Sequence, residues 1–146
     1  MRLTLVYCVM LLIAVGTRPG LAQDPVQIAH VHTVPLSVIR VVDGDTIRAR
    51  ATIWPGTEVE VSVRLRGIDA PELRKGDCTD QGRAAQEWLE ALVVPAQRVW
   101  LLEPKFGTYA GRVIGDVIAD DVDVAAGLVE RGLAAPYQPG GPRFSC

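Results

Sequence analysis

The sequence predicts a mostly β, α+β protein: a small Greek-key barrel of five short strands carrying two helices. Three observations lead there. Two β-branched runs flank Asp43-Gly44-Asp45, which has hairpin-turn chemistry. Val59, Val61, Val63 and Leu65 alternate strictly with Glu60, Ser62, Arg64 and Arg66, the period of a strand with one buried face. A helical pattern then separates the first three strands from the last two.

The chain has 146 residues, 49% of them hydrophobic and 22% charged, which allows one compact domain and disfavours disorder. At its start Arg2 precedes an apolar run from Leu3 to Gly16, followed by small residues at Gly20 and Ala22. A basic start, a short apolar core and small residues before a cleavage point describe a secretory signal peptide over residues 1–22. The run is short of the roughly 20 apolar residues of a membrane span. The chain is therefore expected to be exported, periplasmic or secreted, with no stable membrane insertion once the signal is cut; an uncleaved anchor is the alternative. Without residues 1–22 the chain keeps 13 basic residues against 17 acidic ones, a net charge of −4. That excludes a broad basic face, so any phosphate binding must come from a local cluster.

Residues 23–35 show no period and are expected to form an extended leader. The domain proper is expected over residues 36–146. Strands are predicted at Ser37 to Val42, Thr46 to Thr52 and Val59 to Arg66, with a turn at Trp54-Pro55-Gly56-Thr57. A helix follows from about Asp80 to Val94, with Ala84, Ala85, Trp88, Leu89 and Leu92 on one side; Thr79 or Asp80 caps it and Pro95 stops it. Arg98 to Glu103 and Gly111 to Ala119 read as two more strands. The last helix runs from Val124 to Arg131, with Asp123 as N-cap and Gly132 as C-terminal glycine. Five strands with a helix between the third and fourth suit the OB arrangement. Cys78 and Cys146 are an even pair in an exported chain and read as a disulfide, which would stabilise by about 4 kcal/mol in the chain-entropy model.

Five side chains carry the candidate chemistry: Asp45 in the first turn, Asp69 and Glu72 after the third strand, Arg64 on that strand's polar face, and Arg112 at the start of the fifth. Oxygen-only carboxylates suit a hard cation such as calcium. Arginine suits a phosphate, because its planar fork donates two hydrogen bonds and keeps its charge. Together they describe phosphodiester hydrolysis, with a metal drawing charge from a phosphate oxygen, a carboxylate orienting water and arginines stabilising the developing charge. Taken singly, each has a structural explanation: Asp-Gly is an ordinary hairpin turn and a strand arginine is usually solvated.

In order, Val42-Asp43-Gly44-Asp45-Thr46-Ile47, Val63-Arg64-Leu65-Arg66-Gly67-Ile68-Asp69-Ala70-Pro71-Glu72, Gly111-Arg112-Val113 and Leu128-Val129-Glu130-Arg131-Gly132-Leu133-Ala134 resemble the staphylococcal nuclease (thermonuclease) family, over roughly residues 39–137. The resemblance implies calcium held by Asp45, Asp69 and the backbone carbonyl of Ala70, with Asp43 acting behind them. It implies Glu72 on the attacking water, and Arg64 and Arg112 on the phosphate. The implied reaction cleaves DNA or RNA to 3′-phosphate and 5′-hydroxyl ends. Arg66, Tyr109 and Tyr137 are weaker candidates for substrate contact, Tyr137 as a base-stacking platform or as a packing residue.

The sequence departs from the family in three places. Ala70 stands where the family usually has threonine. Tyr109 is displaced by one position in Thr108-Tyr109-Ala110-Gly111-Arg112. The chain also ends some dozen residues after Ala134, without the third helix of better-known members. Its ending, Pro139-Gly140-Gly141-Pro142-Arg143-Phe144-Ser145-Cys146, resembles that of short exported bacterial members, in which a terminal cysteine pairs with one in the loop that here holds Cys78. The expected protein is a monomeric nuclease; the alternative is a non-catalytic module of this fold that binds nucleic acid or protein in the cell envelope.

Overall fold

The computed structural model describes residues 32–73, 79–141 and 144. The expected signal peptide, residues 23–31 of the expected leader, Cys78 and Cys146 lie outside the described residues. Along the chain the elements are β1 (Thr33–Asp43), β2 (Thr46–Trp54), β3 (Thr57–Leu65), β4 (Ile68–Asp69), α1 (Thr79–Val93), β5 (Val99–Phe106), β6 (Arg112–Ala119), β7 (Val122–Asp123), α2 (Val124–Glu130) and β8 (Ala135–Pro136).

Five strands close a barrel in the order β3-β2-β1-β5-β6, and β6 returns to pair with β3. That last seam is parallel and joins Ser62–Leu65 to Arg112–Gly115; every other ladder among the described residues is antiparallel. Closure follows from the alternation the sequence carries. Ile47, Ala49, Val63, Leu65, Leu101 and Val117 are buried, and the residues beside them on each strand are more exposed, apart from Thr46, which lies buried beside Asp45. The barrel has the predicted five strands and two helices, the OB arrangement.

The helices cover what the barrel leaves open. Helix α1 turns Gly82, Ala85, Leu89 and Val93 inward. Its expected inward residue Ala84 is exposed, because a helix lying on a barrel buries a narrower stripe than the side of a helical wheel suggests. Against it packs α2, where the Trp88 ring sits on Gly127: a Cβ there would come within 2.6 Å of the indole. Arg131 stacks over the same ring at 4.8 Å and donates to the Gly127 carbonyl. Asp123 is the N-cap of α2, its Oδ1 accepting from Ala126 N at 3.0 Å, and Gly132 leaves the helix at φ +67.

Three boundaries differ from expectation. Strand β1 begins at Thr33, inside the expected leader, because Thr33 to Leu36 pair with Leu102 to Val99 of β5. Strand β5 runs on to Phe106 through a bulge at Glu103, φ 46, which lets Pro104 sit in a strand without breaking a ladder bond. Helix α1 begins at Thr79, so its cap position falls on residue 78, outside the described residues. Two-residue bridges such as β4–β8 are too short to leave a periodic signal. Among the described residues, no helix is long and apolar enough to cross a membrane.

Candidate active site

An open cleft of about 970 Å³ lies at one rim of the barrel. Its walls come from the β1–β2 turn, the end of β3 with the segment through Leu73, the β5–β6 loop and the start of β6, and Tyr137. All the residues singled out from the sequence as cleft chemistry line it: Asp43, Asp45, Arg64, Arg66, Asp69, Ala70, Glu72, Tyr109, Arg112 and Tyr137.

The centre is built from Asp45, Asp69 and Arg64. Asp45 stands in the turn after β1, where its amide donates to Asp43 Oδ1 at 3.1 Å and its carbonyl accepts from Leu65 N at 2.8 Å. Its side chain is almost wholly buried. Oδ2 accepts from the amide of Ala70 at 2.9 Å, and Oδ1 accepts from the Thr46 hydroxyl and from Arg64 Nη1. Arg64 reaches with its other nitrogen, Nη2, to Asp69 Oδ1 at 3.0 Å. One guanidinium thus bridges two carboxylates. The remaining oxygen of Asp69 accepts from the amide of Phe144 at 3.1 Å, which brings that residue of the C-terminal segment against the cleft.

Burial raises the Asp45 carboxyl from 3.8 to about 6, outweighing Arg64 and the Ala70 amide, which pull it down; the nearby Asp43 adds to the rise. A buried acid that its own arginine does not fully offset has room for further positive charge. The two carboxylates converge on one cationic group, and both offer hard oxygen donors. That donor set suits a hard cation such as calcium, for which Asp45 and Asp69 would be the side-chain ligands. Among the described residues, no group of three or more His, Cys, Asp or Glu side chains is gathered, so further ligands would be backbone oxygens and water.

Close packing holds these loops in place. A Cβ at Gly44 would lie 2.7 Å from the Ala85 Cβ and 2.8 Å from the Ala70 Cβ, so the Asp43–Asp45 turn rests directly on α1 and on the Ala70 loop. Ala70 is buried at that junction. A Cβ at Gly82 would lie 2.8 Å from the Pro71 carbonyl oxygen, so α1 presses on the backbone that carries Glu72. Glu72 itself is exposed on the cleft wall.

The outer candidates divide. Tyr109, 69% exposed, lies under the Arg112 guanidinium at 5.8 Å. Tyr137 is half exposed on the cleft wall, its amide bonded to the Gly67 carbonyl at 2.8 Å beside the β4–β8 bridge. Arg66 is held at Asp116 Oδ2, 2.9 Å, and by the Glu103 carbonyl, so it braces β3 against the β5 bulge. Arg40 also lines the cleft and was not singled out from the sequence. No linear signal marks it, because its place follows from the pairing of β1 with β2, where Arg40 stands opposite Arg48, and that register comes only from the folded sheet.

A closed five-stranded barrel with two helices and a charged cleft at its rim defines an OB-fold protein. More narrowly, the chain belongs to the staphylococcal nuclease homologues: that family model matches residues 62–144, more than half of its length. It is 31% identical over 112 residues to Endonuclease YhcR of Bacillus subtilis (strain 168), covering 68% of this chain and 9% of that protein. It is 36% identical over 73 residues to Endonuclease Htp3 of Saprolegnia parasitica (strain CBS 223.65), covering 42% of this chain and 35% of that protein. The matches therefore span about a tenth and about a third of these two relatives.

Proposed function

We propose that this protein is a calcium-dependent nuclease that hydrolyses DNA or RNA to 3′-phosphate and 5′-hydroxyl ends. The observation that carries the reading is the convergence of Asp45 and Asp69 on Arg64, in a cleft whose walls also hold Glu72 and Arg112. Both similar proteins are named endonucleases.

Asp45, Asp69 and the Ala70 carbonyl would hold the cation, which when bound supplies Lewis-acid polarisation of a phosphate oxygen. Glu72 orients a water and takes its proton as the oxygen attacks phosphorus. Arg64 and Arg112 donate to the phosphate oxygens as charge builds there. The phosphorus–O5′ bond breaks, the 5′-oxygen takes up a proton, and the phosphate stays on the 3′ side. Tyr109 and Tyr137, both exposed on the cleft, serve as platforms for flanking bases.

Export through a cleaved segment 1–22 and a monomeric state belong to the same proposal. N-terminal sequencing of protein from the producing cell tests the first, since a start near Gln23 is expected. Light scattering tests the second.

One observation favours a non-catalytic binding module instead: each oxygen of the two aspartates already has a partner from the chain. The deciding experiment incubates the protein with single-stranded DNA, duplex DNA and RNA in calcium, magnesium or EDTA, with Glu72→Ala as control. Calcium-dependent cleavage to 3′-phosphate ends, lost in the control, supports the nuclease. Binding without cleavage by folded protein supports the module.

A further inference from the structure

The chain passes Asp69 twice. In β8, Ala135 pairs with Asp69 across the backbone ladder, and the chain then leaves the bridge past Tyr137. It reverses at Gln138-Pro139-Gly140-Gly141. Proline stands second and glycine third, at φ +73, and the Gly141 amide donates to the Gln138 carbonyl at 2.9 Å, which is the form of a type II turn. A Cβ at Gly141 would lie 2.8 Å from the Gln138 Cβ, so the turn is tightly closed. Three residues later the amide of Phe144 donates to Asp69 Oδ2 at 3.1 Å, across 75 positions of the chain.

That contact gives the two aspartates of the cleft the same support. Asp45 has Oδ1 on Arg64 Nη1 and Oδ2 on the backbone amide of Ala70. Asp69 has Oδ1 on Arg64 Nη2 and Oδ2 on the backbone amide of Phe144. A carboxylate held at one oxygen still turns about its Cβ–Cγ bond, whose torsional preference is broad. Held at both, its plane is fixed. An oxygen that accepts one amide keeps a second acceptor position, which can face a cation. Asp69 is only 8% exposed, so little water reaches it to replace a donor that is lost.

We infer that the C-terminal segment is part of the cation site: the Phe144 amide is the positioning group that sets the plane of Asp69, as the Ala70 amide sets that of Asp45. This rests on the calcium reading proposed above and deepens it. Ala70 lies next to Asp69 in the chain and comes into place with the cleft loops. Phe144 comes into place only when the Pro139-Gly140 turn has sent the chain back, so the site is complete only with its tail docked. The contact is made by the backbone. What the site needs at 144 is therefore an amide hydrogen, not a phenyl ring.

The test measures calcium binding to the metal-free protein by isothermal titration calorimetry, with no nucleic acid present. It compares the parent with Phe144→Leu and Phe144→Pro, Cys146 being kept throughout and folding checked by thermal melting in EDTA. Phe144→Leu retains the amide hydrogen and is expected to bind calcium as the parent does. Phe144→Pro lacks it and is expected to bind roughly 10–100-fold more weakly, the usual loss when a group that orients a metal ligand is removed. Proline also restrains the backbone, so a further protein carries the α-hydroxy acid analogue of phenylalanine at 144, which exchanges only the N–H for oxygen. It is expected to lose affinity together with Phe144→Pro. Unchanged affinity in both amide-free proteins overturns the positioning role, and so does an equal loss in Phe144→Leu. Tighter binding without the amide also overturns it, since the tail would then be a plug on Asp69. A folded parent that binds no calcium removes the proposed cation site itself, and this role with it.

Discussion

Asp45 Oδ2 accepts the amide hydrogen of Ala70 at 2.9 Å, tying together two loops 25 residues apart in the chain. The bond aims a carboxyl group that burial has already made reluctant to ionise. Because the Asp45 pKa is raised from 3.8 to about 6 on folding, its contribution to stability is complete below about pH 3.8 and is lost as pH rises through about 6. The loss is on the order of 3 kcal/mol. In EDTA, the melting temperature of Asp45→Asn minus that of the parent should therefore grow as pH rises from 5 to 7.5. A difference that stays flat across that range would mean that Arg64 compensates the burial completely.

Arg64 has two jobs that separate on mutation. Its side chain is about a quarter exposed, and it is the partner of both aspartates. Arg64→Ala should cost roughly 1–3 kcal/mol in EDTA, discounted from the fully buried case for that exposure. Millimolar calcium should restore much of the loss, since it binds only the folded site. A melting curve with and without calcium checks this; a variant that calcium does not restore would place the cation elsewhere.

Arg112 contrasts with it. It sits at the start of β6 over Tyr109 and makes no ion pair with a carboxylate among the described residues. Arg112→Ala should melt within about 1 kcal/mol of the parent. Its kcat on DNA should nevertheless fall about 10²–10³-fold, the loss seen when one oxyanion donor of about 3–4 kcal/mol is removed. Equal losses in stability and rate would make it a structural residue.

Two glycines divide packing from positioning. Gly44→Ala forces contacts of 2.7–2.8 Å with two Cβ atoms, and should destabilise by roughly 1–3 kcal/mol while displacing the aspartate turn. Gly82→Ala pushes on the Pro71 carbonyl and on the backbone of Glu72. Its kcat should fall well beyond any rise in the calcium concentration for half-maximal stabilisation, because Asp45 and Asp69 are not on the displaced segment and only the Ala70 carbonyl adjoins it. Loss of both together would show that the segment from Asp69 to Glu72 moves as one piece.

Much of this architecture is legible in the amino-acid sequence. The strict alternation over Val59–Leu65 specifies a strand, whose expected inward face is buried only at Val63 and Leu65 while Val59 stays exposed toward the hairpin, and Asp123 with Gly132 marks both ends of α2. The cleft carboxylates and arginines stand out because their blocks occur in a recognisable order. Whatever depends on register stays hidden. Arg66 shares the exposed side of β3 with Arg64, yet it ends on Asp116, fifty positions away, rather than on free phosphate-binding duty. The register row from Arg112 through Ser62 and Arg48 to Arg40 crosses four strands that no linear period connects. Glu103 looks like a strand end in sequence, and only its left-handed backbone shows the bulge.

The pairing of Cys78 with Cys146 is a proposal with support nearby. Phe144, two residues before Cys146, reaches the cleft through its amide, and α1 begins directly after Cys78. The mass of unreduced protein should be two hydrogens below that of the dithiol, and reduction should cost about 4 kcal/mol by the chain-entropy account. Two alkylatable thiols in oxidatively purified protein would end the idea.

The parallel seam between β3 and β6 has a consequence for the life of the chain. Arg64 and Arg112 come from strands separated by β4, α1 and β5, and only the seam sets them on one wall. Contacts between such distant segments form late, because the loop between them must be closed before they return anything. A chain still emerging from the ribosome carries all the parts of the cleft and none of its geometry. On the nuclease reading proposed above, such a chain cuts nothing until that seam forms.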